Sequence, residues 1–241
     1  MFPYPFSFLS PSDTGLADID NAYSMQFDGV DSYIFTDPAN LTGTLTERNY
    51  SFWFKHISFP YGDFQPLFCG YSSNVTHKFR YQAGAGIHDG ELIWQLGAGA
   101  GANLSSYCHA ASEAIDGTGS APNLLDGNWH HIFIYNPVGV RADIANTQMW
   151  VDGEQLSVTP VEGTQTLRGI DEWLTIGGGS SGSSGTKFQI TNGYIDEFAY
   201  WNGSVLSPSD ITSIYDATSS GKTADLSEMS SPPDAWYRLG D

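Results

Sequence analysis

Basic residues are scarce in this chain of 241 residues, which has nine Lys and Arg against 27 Asp and Glu. The formal net charge of −18 argues against nucleic acids and anionic membranes as partners, because both are polyanions that repel such a chain. No apolar run approaches the ~20 residues that a membrane helix needs. The N-terminal stretch MFPYPFSFLSPSD lacks a basic start and contains Pro3, Pro5 and Pro11, so we expect no signal peptide.

Cysteine is nearly absent as well. Cys69 and Cys108 are the two that occur, without CxxC spacing or a nearby cluster of histidines, which argues against a zinc site. One disulfide and two buried thiols both fit this pair, and the sequence leaves the choice open. Hydrophobic residues make up 40% of the chain, enough for a core without covalent cross-links.

Short β-type runs separated by Gly, Asn, Asp, Ser and Pro recur along the chain. This pattern predicts an antiparallel sandwich or barrel rather than βαβ units. In the run YSFWFKHI, alternation places Phe52 and Phe54 on one face of a strand and Trp53 on the other. In MWVDGEQL, Asp152-Gly153 predicts the turn of a hairpin.

One short helix is predicted after the last of these runs. Ser207 is a capping residue, Pro208 suits the first helical position, and Asp210 completes a capping box. Ile211 and Ile214 begin an apolar stripe with helical spacing. We expect this helix to close the open end of the sandwich.

The order of the motifs along the chain is informative. The segments YSMQFDGVDSYI, SFWFK, DGNWHHIFIYN, MWVDGEQL, EWLTIGGG and GYIDEFAYWNGSVLSPSDITSIYDA follow one another. Together they resemble a laminin G-like domain of the concanavalin A-like lectin/glucanase superfamily. The resemblance implies an all-β, two-sheet antiparallel jelly-roll sandwich over residues 22–217, with one short helix near the C-terminus. Residues 1–21 would be an extended arm, and residues 218–241 a tail packed on the domain.

The C-terminal segment SPPDAWYRLGD resembles one that follows such domains in structural proteins of marine tailed phages. This resemblance implies a non-enzymatic accessory virion protein, either a capsid decoration or a tail or fibre component. Its partners would be other virion proteins or further copies of the chain, with cell-surface glycans as further ligands. It would be assembled in the host cytoplasm and displayed outside the cell on the particle. The alternatives are a free calcium-dependent lectin module and a glycoside hydrolase of the glucanase type, since the fold carries all three.

The adjacent acids Asp196 and Glu197 test the hydrolase alternative. Glucanases of the superfamily resemble the pattern E-x-D-x-x-E, but GYIDEF has no acid two residues before Asp196 or three residues after it. Neighbouring side chains on a regular strand point to opposite faces, so we expect the two acids to lie back to back. Retaining hydrolysis needs two carboxyl groups about 5–5.5 Å apart facing one substrate, and we therefore predict no enzymatic activity.

The resemblance also implies a calcium ion near the first Asp-Gly turn, with Asp28, Asp31 and Asp196 as candidate ligands. The alternative is that Asp28 only forms its turn and Asp196 is a buried, hydrogen-bonded carboxylate. His130 and His131 are neighbours on one strand and should face opposite sides, which argues against a shared metal.

Sugar rings stack on exposed aromatic faces, so several aromatic residues are candidate glycan contacts. They are Tyr61, Phe64, Tyr71, Tyr107 and Trp201. A second aromatic group lies in the N-terminal arm, which its prolines keep extended. It consists of Phe2, Tyr4, Phe6 and Phe8. We expect this assembly arm either to fold back onto its own domain or to dock on a neighbouring subunit or particle.

Overall fold

The computed structural model describes residues 16–36, 47–59, 64–72, 81–88, 90–98, 108–137, 141–163, 173–181, 186–218 and 221–240. In chain order the strands are β1 (Asp18–Asp20), β2 (Met25–Asp28), β3 (Ile34–Thr36), β4 (Arg48–His56), β5 (Phe64–Ser72), β6 (Tyr81–His88), β7 (Glu91–Ala98), β8 (Cys108–Ala114), β9 (Trp129–Asn136), β10 (Gln148–Val151), β11 (Glu154–Gln155), β12 (Val158–Val161), β13 (Trp173–Ile176), β14 (Gly178–Ser181), β15 (Thr186–Ile190), β16 (Asn192–Asn202), β17 (Lys222–Ala224) and β18 (Ala235–Tyr237). Helix α1 spans Pro208–Asp216, and short 3₁₀ helices span Arg141–Asn146 and Leu226–Glu228.

Two antiparallel sheets of seven strands form a sandwich. Sheet I has the order β11-β10-β9-β4-β16-β18, and β2 also pairs with β16. Sheet II has the order β12-β8-β7-β6-β5-β13-β3. One core lies between them, in which Phe52 of sheet I meets Phe68 of sheet II edge to face, with 5.8 Å between ring centroids. The predicted all-β jelly-roll sandwich with one short helix near the C-terminus is confirmed.

Helix α1 lies on the outer side of sheet I. Its N-terminus has the predicted capping box, because the Asp210 N–H donates to Ser207 Oγ at 3.2 Å and the Ser207 N–H donates to Asp210 Oδ2 at 2.9 Å. Ile211 and Ile214 are buried in one cluster with Trp201 of β16. The prediction that the helix closes the end of the sandwich is therefore wrong. Within the described residues, no helix has the length and apolar character that crossing a membrane requires.

The two ends of the described chain also join on this side of the molecule. Strand β1 pairs with β17, and β18 pairs with β16. Leu226 and Met229, between β17 and β18, bury their side chains in the same cluster as α1. A second apolar layer thus covers part of sheet I and leaves part of its outer side uncovered beside the joined ends.

The structure also shows the predicted hairpin turn and the positions of the two cysteines. Asp152 and Gly153 both have positive φ, 52° and 76°, which is the geometry of the predicted type I′ turn between β10 and β11. Cys69 and Cys108 are buried in β5 and β8, which are separated by β6 and β7. Three strand spacings, about 14 Å, exceed the span of a disulfide, so the two thiols do not form one.

Candidate functional site

A β-bulge in β16 shapes the site. Asp196 pairs with Trp53 and Ala199 with Ser51, so three steps along β16 match two steps along β4. Glu197 is the extra residue and adopts the left-handed backbone conformation with a φ of 51°. Because of this extra residue, the side chains of both acids lie away from the core side of the strand. The prediction that Asp196 and Glu197 lie back to back is wrong, since it assumed regular alternation through this point.

The bulge brings the two carboxylates together. Asn21 Nδ2 donates to Asp196 Oδ2 at 3.0 Å and to Glu197 Oε1 at 3.1 Å, so these oxygens lie no more than about 6 Å apart. The Glu197 N–H also donates to Asp196 Oδ1 at 2.8 Å. The two residues are 5% and 4% exposed. Asp196 is therefore the buried, hydrogen-bonded carboxylate of the alternative interpretation.

Glu197 is held by the C-terminal segment. Arg238 Nε donates to Glu197 Oε1 at 3.2 Å, and Trp236 Nε1 donates to Glu197 Oε2. Burial raises the pKa of Glu197, and hydrogen bonds and the charge of Arg238 offset only part of that rise. Arg238 Nη2 also donates to the carbonyl oxygen of Asp20, which ties the N-terminal segment to the same carboxylate. Glu197 therefore acts as a brace, meaning that its hydrogen bonds hold distant parts of the chain together.

A pocket of about 410 Å³ opens beside this brace, on the outer side of sheet I. Five parts of the chain line it: residues 21–24, strand β4, strand β9, Asp196 of β16, and the segment at 218–223. Its aromatic lining comes from Tyr23, Trp53 and Trp129. Its volume falls within the range of small-ligand sites.

The aromatic lining combines a fixed ring with exposed ones. The Trp53 ring stacks on Tyr215 of α1, with 6.0 Å between centroids and 23° between planes. Trp129 is 37% exposed and packs against Tyr194, with ring centroids 6.1 Å apart. Tyr23 is 69% exposed. Flat apolar faces and a carboxylate therefore meet in one place, as they do in sites that stack a sugar ring and bind its hydroxyl groups.

The lining includes one carboxylate among the residues that the structure describes. Asp196 contributes to the pocket wall, whereas Glu197 does not line it and is engaged by Asn21, Trp236 and Arg238. A retaining hydrolase needs both carboxyl groups to face the same substrate. The hydrogen bonds to Glu197 thus account for the proximity of the two acids, and the two carboxyl groups do not both face this pocket.

The predicted glycan contacts are not the ones that line this pocket. Trp201 is fully buried and donates from Nε1 to the carbonyl oxygen of Ser231 at 2.9 Å, so its prediction as an exposed stacking surface is wrong. Phe64 and Tyr71 lie in β5, but their side chains are outside the described part of the structure, as are Tyr61 and Tyr107 altogether. The assembly-arm residues Phe2, Tyr4, Phe6 and Phe8 are also outside the described residues.

The predicted calcium ligands are not brought together. Asp28 Oδ1 accepts hydrogen bonds from the Ser32 hydroxyl and from the N–H groups of Val30, Ser32 and Asp31, and these bonds hold the pKa of Asp28 well below its usual range. Asp28 pairs with Asn192, which places Asp196 four residues along the strand, about 13 Å away. This spacing does not bring Asp28 and Asp196 together, and a calcium site formed by Asp28, Asp31 and Asp196 stays a prediction.

No group of three or more His, Cys, Asp or Glu residues arranged to hold a metal occurs within the described ranges. Calcium binding by this chain stays a prediction.

The two adjacent histidines face opposite sides of β9, as alternation predicts. His131 is buried, Ser51 Oγ lies 2.8 Å from its Nε2, and burial lowers its pKa to about 4. His130 lies between two carboxylates instead, with Nδ1 2.7 Å from Asp152 Oδ2 and Nε2 3.0 Å from Asp126 Oδ1. The two rings do not point toward one metal.

Sequence analysis missed Tyr23, Trp53 and Trp129 as site residues. A signal for the bulge was present, because Ile195, Phe198 and Tyr200 are all core residues, and the spacing of three between the first two cannot fit a regular strand. Trp129 could have been placed on the outer face by alternation with Ile132 and Ile134, which enter the core. No pattern in the sequence indicated that residues 21–24 would meet residues 218–223.

Comparison with solved structures shows the same fold at low sequence identity. The receptor-binding domain of botulinum neurotoxin C/D mosaic serotype aligns with a TM-score of 0.51 and 13% identity, over 86% of this chain and 47% of the other. The carbohydrate-binding module CBM40 of the Ruminococcus gnavus IT-sialidase, bound to α2,3-sialyllactose, aligns with a TM-score of 0.50 and 12% identity, over 81% and 99% of the two chains. Domains LG4-5 of the mouse laminin α1 chain align with a TM-score of 0.49 and 16% identity, over 83% and 48%.

The chain spans about half the length of the mouse laminin and botulinum chains that it matches. No curated protein sequence matches it. The family model Laminin_G_3, described as the concanavalin A-like lectin/glucanases superfamily, matches residues 28–212, which is well over half of the chain. The chain therefore belongs to the laminin G-like family of the concanavalin A-like lectin/glucanase superfamily.

Proposed function

We propose that this protein is a non-catalytic glycan-binding module whose binding site is the pocket on the outer side of sheet I. The observation that carries the proposal is the presence of Tyr23, Trp53 and Trp129 around the Asp196 carboxylate in a pocket of about 410 Å³. Sugar rings have apolar faces that stack on aromatic rings and hydroxyl groups that donate to carboxylates.

The rigidity of the pocket favours binding. The Trp53 ring packs against the rings of Tyr215 and His131, whose centroids lie 6.0 and 5.4 Å away. Asp196 is fixed by the Asn21 amide and by the bulge. Groups that are ordered before the ligand arrives lose little conformational entropy on binding, so more of the contact energy appears as affinity. The carbohydrate-bound structure of CBM40 supports the idea that this fold can carry a sugar site.

Replacing Trp129 by Ala tests this site. We expect an affinity loss of about fivefold or more for any sugar found on a glycan array, because truncating an aromatic anchor typically costs more than about 1 kcal/mol. Titration calorimetry with the best array ligand measures the loss. Phe35→Ala is the matched control, since Phe35 is 49% exposed on β3 of the other sheet. Equal affinity of both variants and the unmodified protein would refute the assignment of the pocket.

A role on a virus particle is the second candidate, with the same module serving as an accessory virion protein. It is supported by the resemblance of the C-terminal segment to phage structural proteins. The contacts of Trp236 and Arg238 with Glu197 give two residues of that segment a role within the domain. The virion role therefore needs its own test, which is mass spectrometry of purified particles from an infected host. Absence of the chain from washed particles would reject it and leave the glycan-binding proposal intact.

A further inference from the structure

We infer that Gly240 is a positioning residue for sugar binding, because it supports the backbone of Tyr23 and Ser24 behind the wall of the pocket. This inference rests on the proposed function and adds a residue that acts on the same site from outside it. Gly240 is not one of the lining residues, so its effect on a bound sugar has to pass through the segment that it touches.

The wall segment at residues 21–24 is not part of a strand. It lies between β1, which ends at Asp20, and β2, which begins at Met25. The Asn21 N–H donates to the carbonyl oxygen of Gly221 at 2.8 Å, and the Asn21 amide donates to the carboxylates of β16. These bonds fix the first residue of the segment, so contacts further along determine where Tyr23 and Ser24 lie.

The C-terminal segment holds Gly240 against this part of the wall. Leu239 is buried in the core between the two sheets. The Gly240 N–H donates to the carbonyl oxygen of Arg238 at 2.8 Å, which makes a tight turn of these three residues. Arg238 in turn donates to Glu197 and to the carbonyl oxygen of Asp20. The turn is therefore anchored both in the core and beside the start of the wall segment.

The close approach at position 240 requires glycine. Its φ is 144°, in a region of backbone conformation that residues with a side chain rarely adopt. A Cβ atom added there would lie 2.7 Å from the Tyr23 carbonyl carbon, 2.8 Å from the Ser24 nitrogen and 2.9 Å from Tyr23 Cβ. Side-chain rotation cannot relieve these contacts, because all three atoms move only with the main chain. A side chain at position 240 would therefore push the turn and the Tyr23–Ser24 peptide apart.

A shift of this peptide would move a ring that lines the pocket. Tyr23 is largely exposed, so packing holds little of its ring and the backbone does most of the positioning. The ring shares the lining with Trp53 and Trp129. A gap of about 0.5–1 Å already loses a quarter to a half of the van der Waals energy of a contact. A small displacement of Tyr23 should therefore weaken stacking on a sugar.

Gly240→Ala tests this role against a purely structural one. We expect the affinity for the tightest-binding glycan of the array to fall by about threefold or more, because part of the Tyr23 contact is lost. The urea midpoint of unfolding should change little, because Gly240 is exposed and lies outside the helices and strands. Titration calorimetry and urea unfolding measure the two quantities.

Gly90→Ala is the matched control. Gly90 also has a positive φ, 78°, and a Cβ atom there would lie 2.6 Å from Asp116 Oδ2. It precedes β7 in sheet II and does not line the pocket. This variant should lower the urea midpoint and leave the affinity unchanged, which is the opposite of the result expected for Gly240→Ala.

Two further measurements trace the effect to Tyr23. In a Tyr23→Ala background, Gly240→Ala should reduce the affinity by a smaller factor, because the ring that it displaces is already gone. Hydrogen exchange of residues 21–24 without sugar should be faster in Gly240→Ala than in Gly90→Ala, because the segment loses its support.

The outcomes separate this inference from the proposed function. Unchanged affinity of Gly240→Ala, while Trp129→Ala still weakens binding, would overturn the positioning role and leave the glycan site intact, whatever the hydrogen exchange shows. An equal factor of loss with and without the Tyr23 side chain would also overturn it, because the effect would not pass through Tyr23. If no glycan of the array binds the unmodified protein, the proposed function and this inference both fail.

Discussion

Single residues in this protein hold turns and strands together through charge. His130 is the clearest case, because each of its ring nitrogens contacts a carboxylate, Asp126 at 3.0 Å and Asp152 at 2.7 Å. Both nitrogens must be protonated to donate, so the ring is an imidazolium that joins the two Asp-Gly turns. Burial alone would lower the pKa of His130, but the two carboxylates more than offset burial and raise it. The hydrogen bond from His130 in turn lowers the pKa of Asp126 to about 2.

The sign of the resulting pH dependence follows from the raised pKa. The stabilisation is complete below the unfolded-state pKa of 6.5 and is lost as the pH rises through the higher folded-state pKa. We expect His130→Gln to lower the free energy of unfolding by about 1–2 kcal/mol at about pH 6, and by less at about pH 9. Urea unfolding of both proteins at the two pH values measures this difference. A gap between them that stays constant with pH would mean that His130 is neutral in the folded protein.

Among the secondary-structure elements, regular alternation of side chains predicts which residues enter the core almost everywhere in sheet I. The prediction for β4 is confirmed, since Phe52 and Phe54 enter the core while Trp53 faces outward. The hairpin at Asp152-Gly153 is confirmed for a similar local reason, because Gly accepts positive φ at the turn. Strand β16 departs from the rule at Glu197, a residue type that rarely adopts positive φ and gives no local signal for it.

Because of the bulge, we expect that one residue of β16 can be deleted without loss of the fold. Removing Glu197 should leave Ile195, Phe198 and Tyr200 on the core side of β16, because the deleted residue is the one that breaks the alternation. We expect the shortened protein to fold, with a free energy of unfolding lower by about 2–4 kcal/mol because the hydrogen bonds to Glu197 are lost. Cooperative unfolding followed by circular dichroism measures this loss.

Deletion of Ala199 is the matched control, since it would turn Tyr200 out of the core and Trp201 into it. That variant should show no cooperative transition. If both deletions abolish folding equally, the bulge is not the surplus position that its pairing with β4 indicates.

At the scale of the whole molecule, the fold was accessible from the sequence and the pocket was not. The sandwich follows from many strands whose pattern is local, and from six motifs whose order resembles one family. The pocket instead combines residues 21–24, three neighbouring strands and residues 218–223. Their meeting depends on the pairing of β1 with β17 and on the network around Glu197, which are contacts between distant segments. No short-range pattern encodes such contacts, and the sequence pattern therefore predicted aromatic contacts in loops and at Trp201 instead.

The bond from Arg238 to the carbonyl oxygen of Asp20 spans 218 residues of sequence, and this has a consequence for biosynthesis. A ribosome releases Asp20 long before it adds Arg238, so most strands of the sandwich emerge while one wall of the pocket is still untranslated. The pocket is therefore among the last parts of the molecule to be completed. For the same reason, proteolytic cleavage near the C-terminus should disrupt the pocket while most of the β-sandwich stays folded.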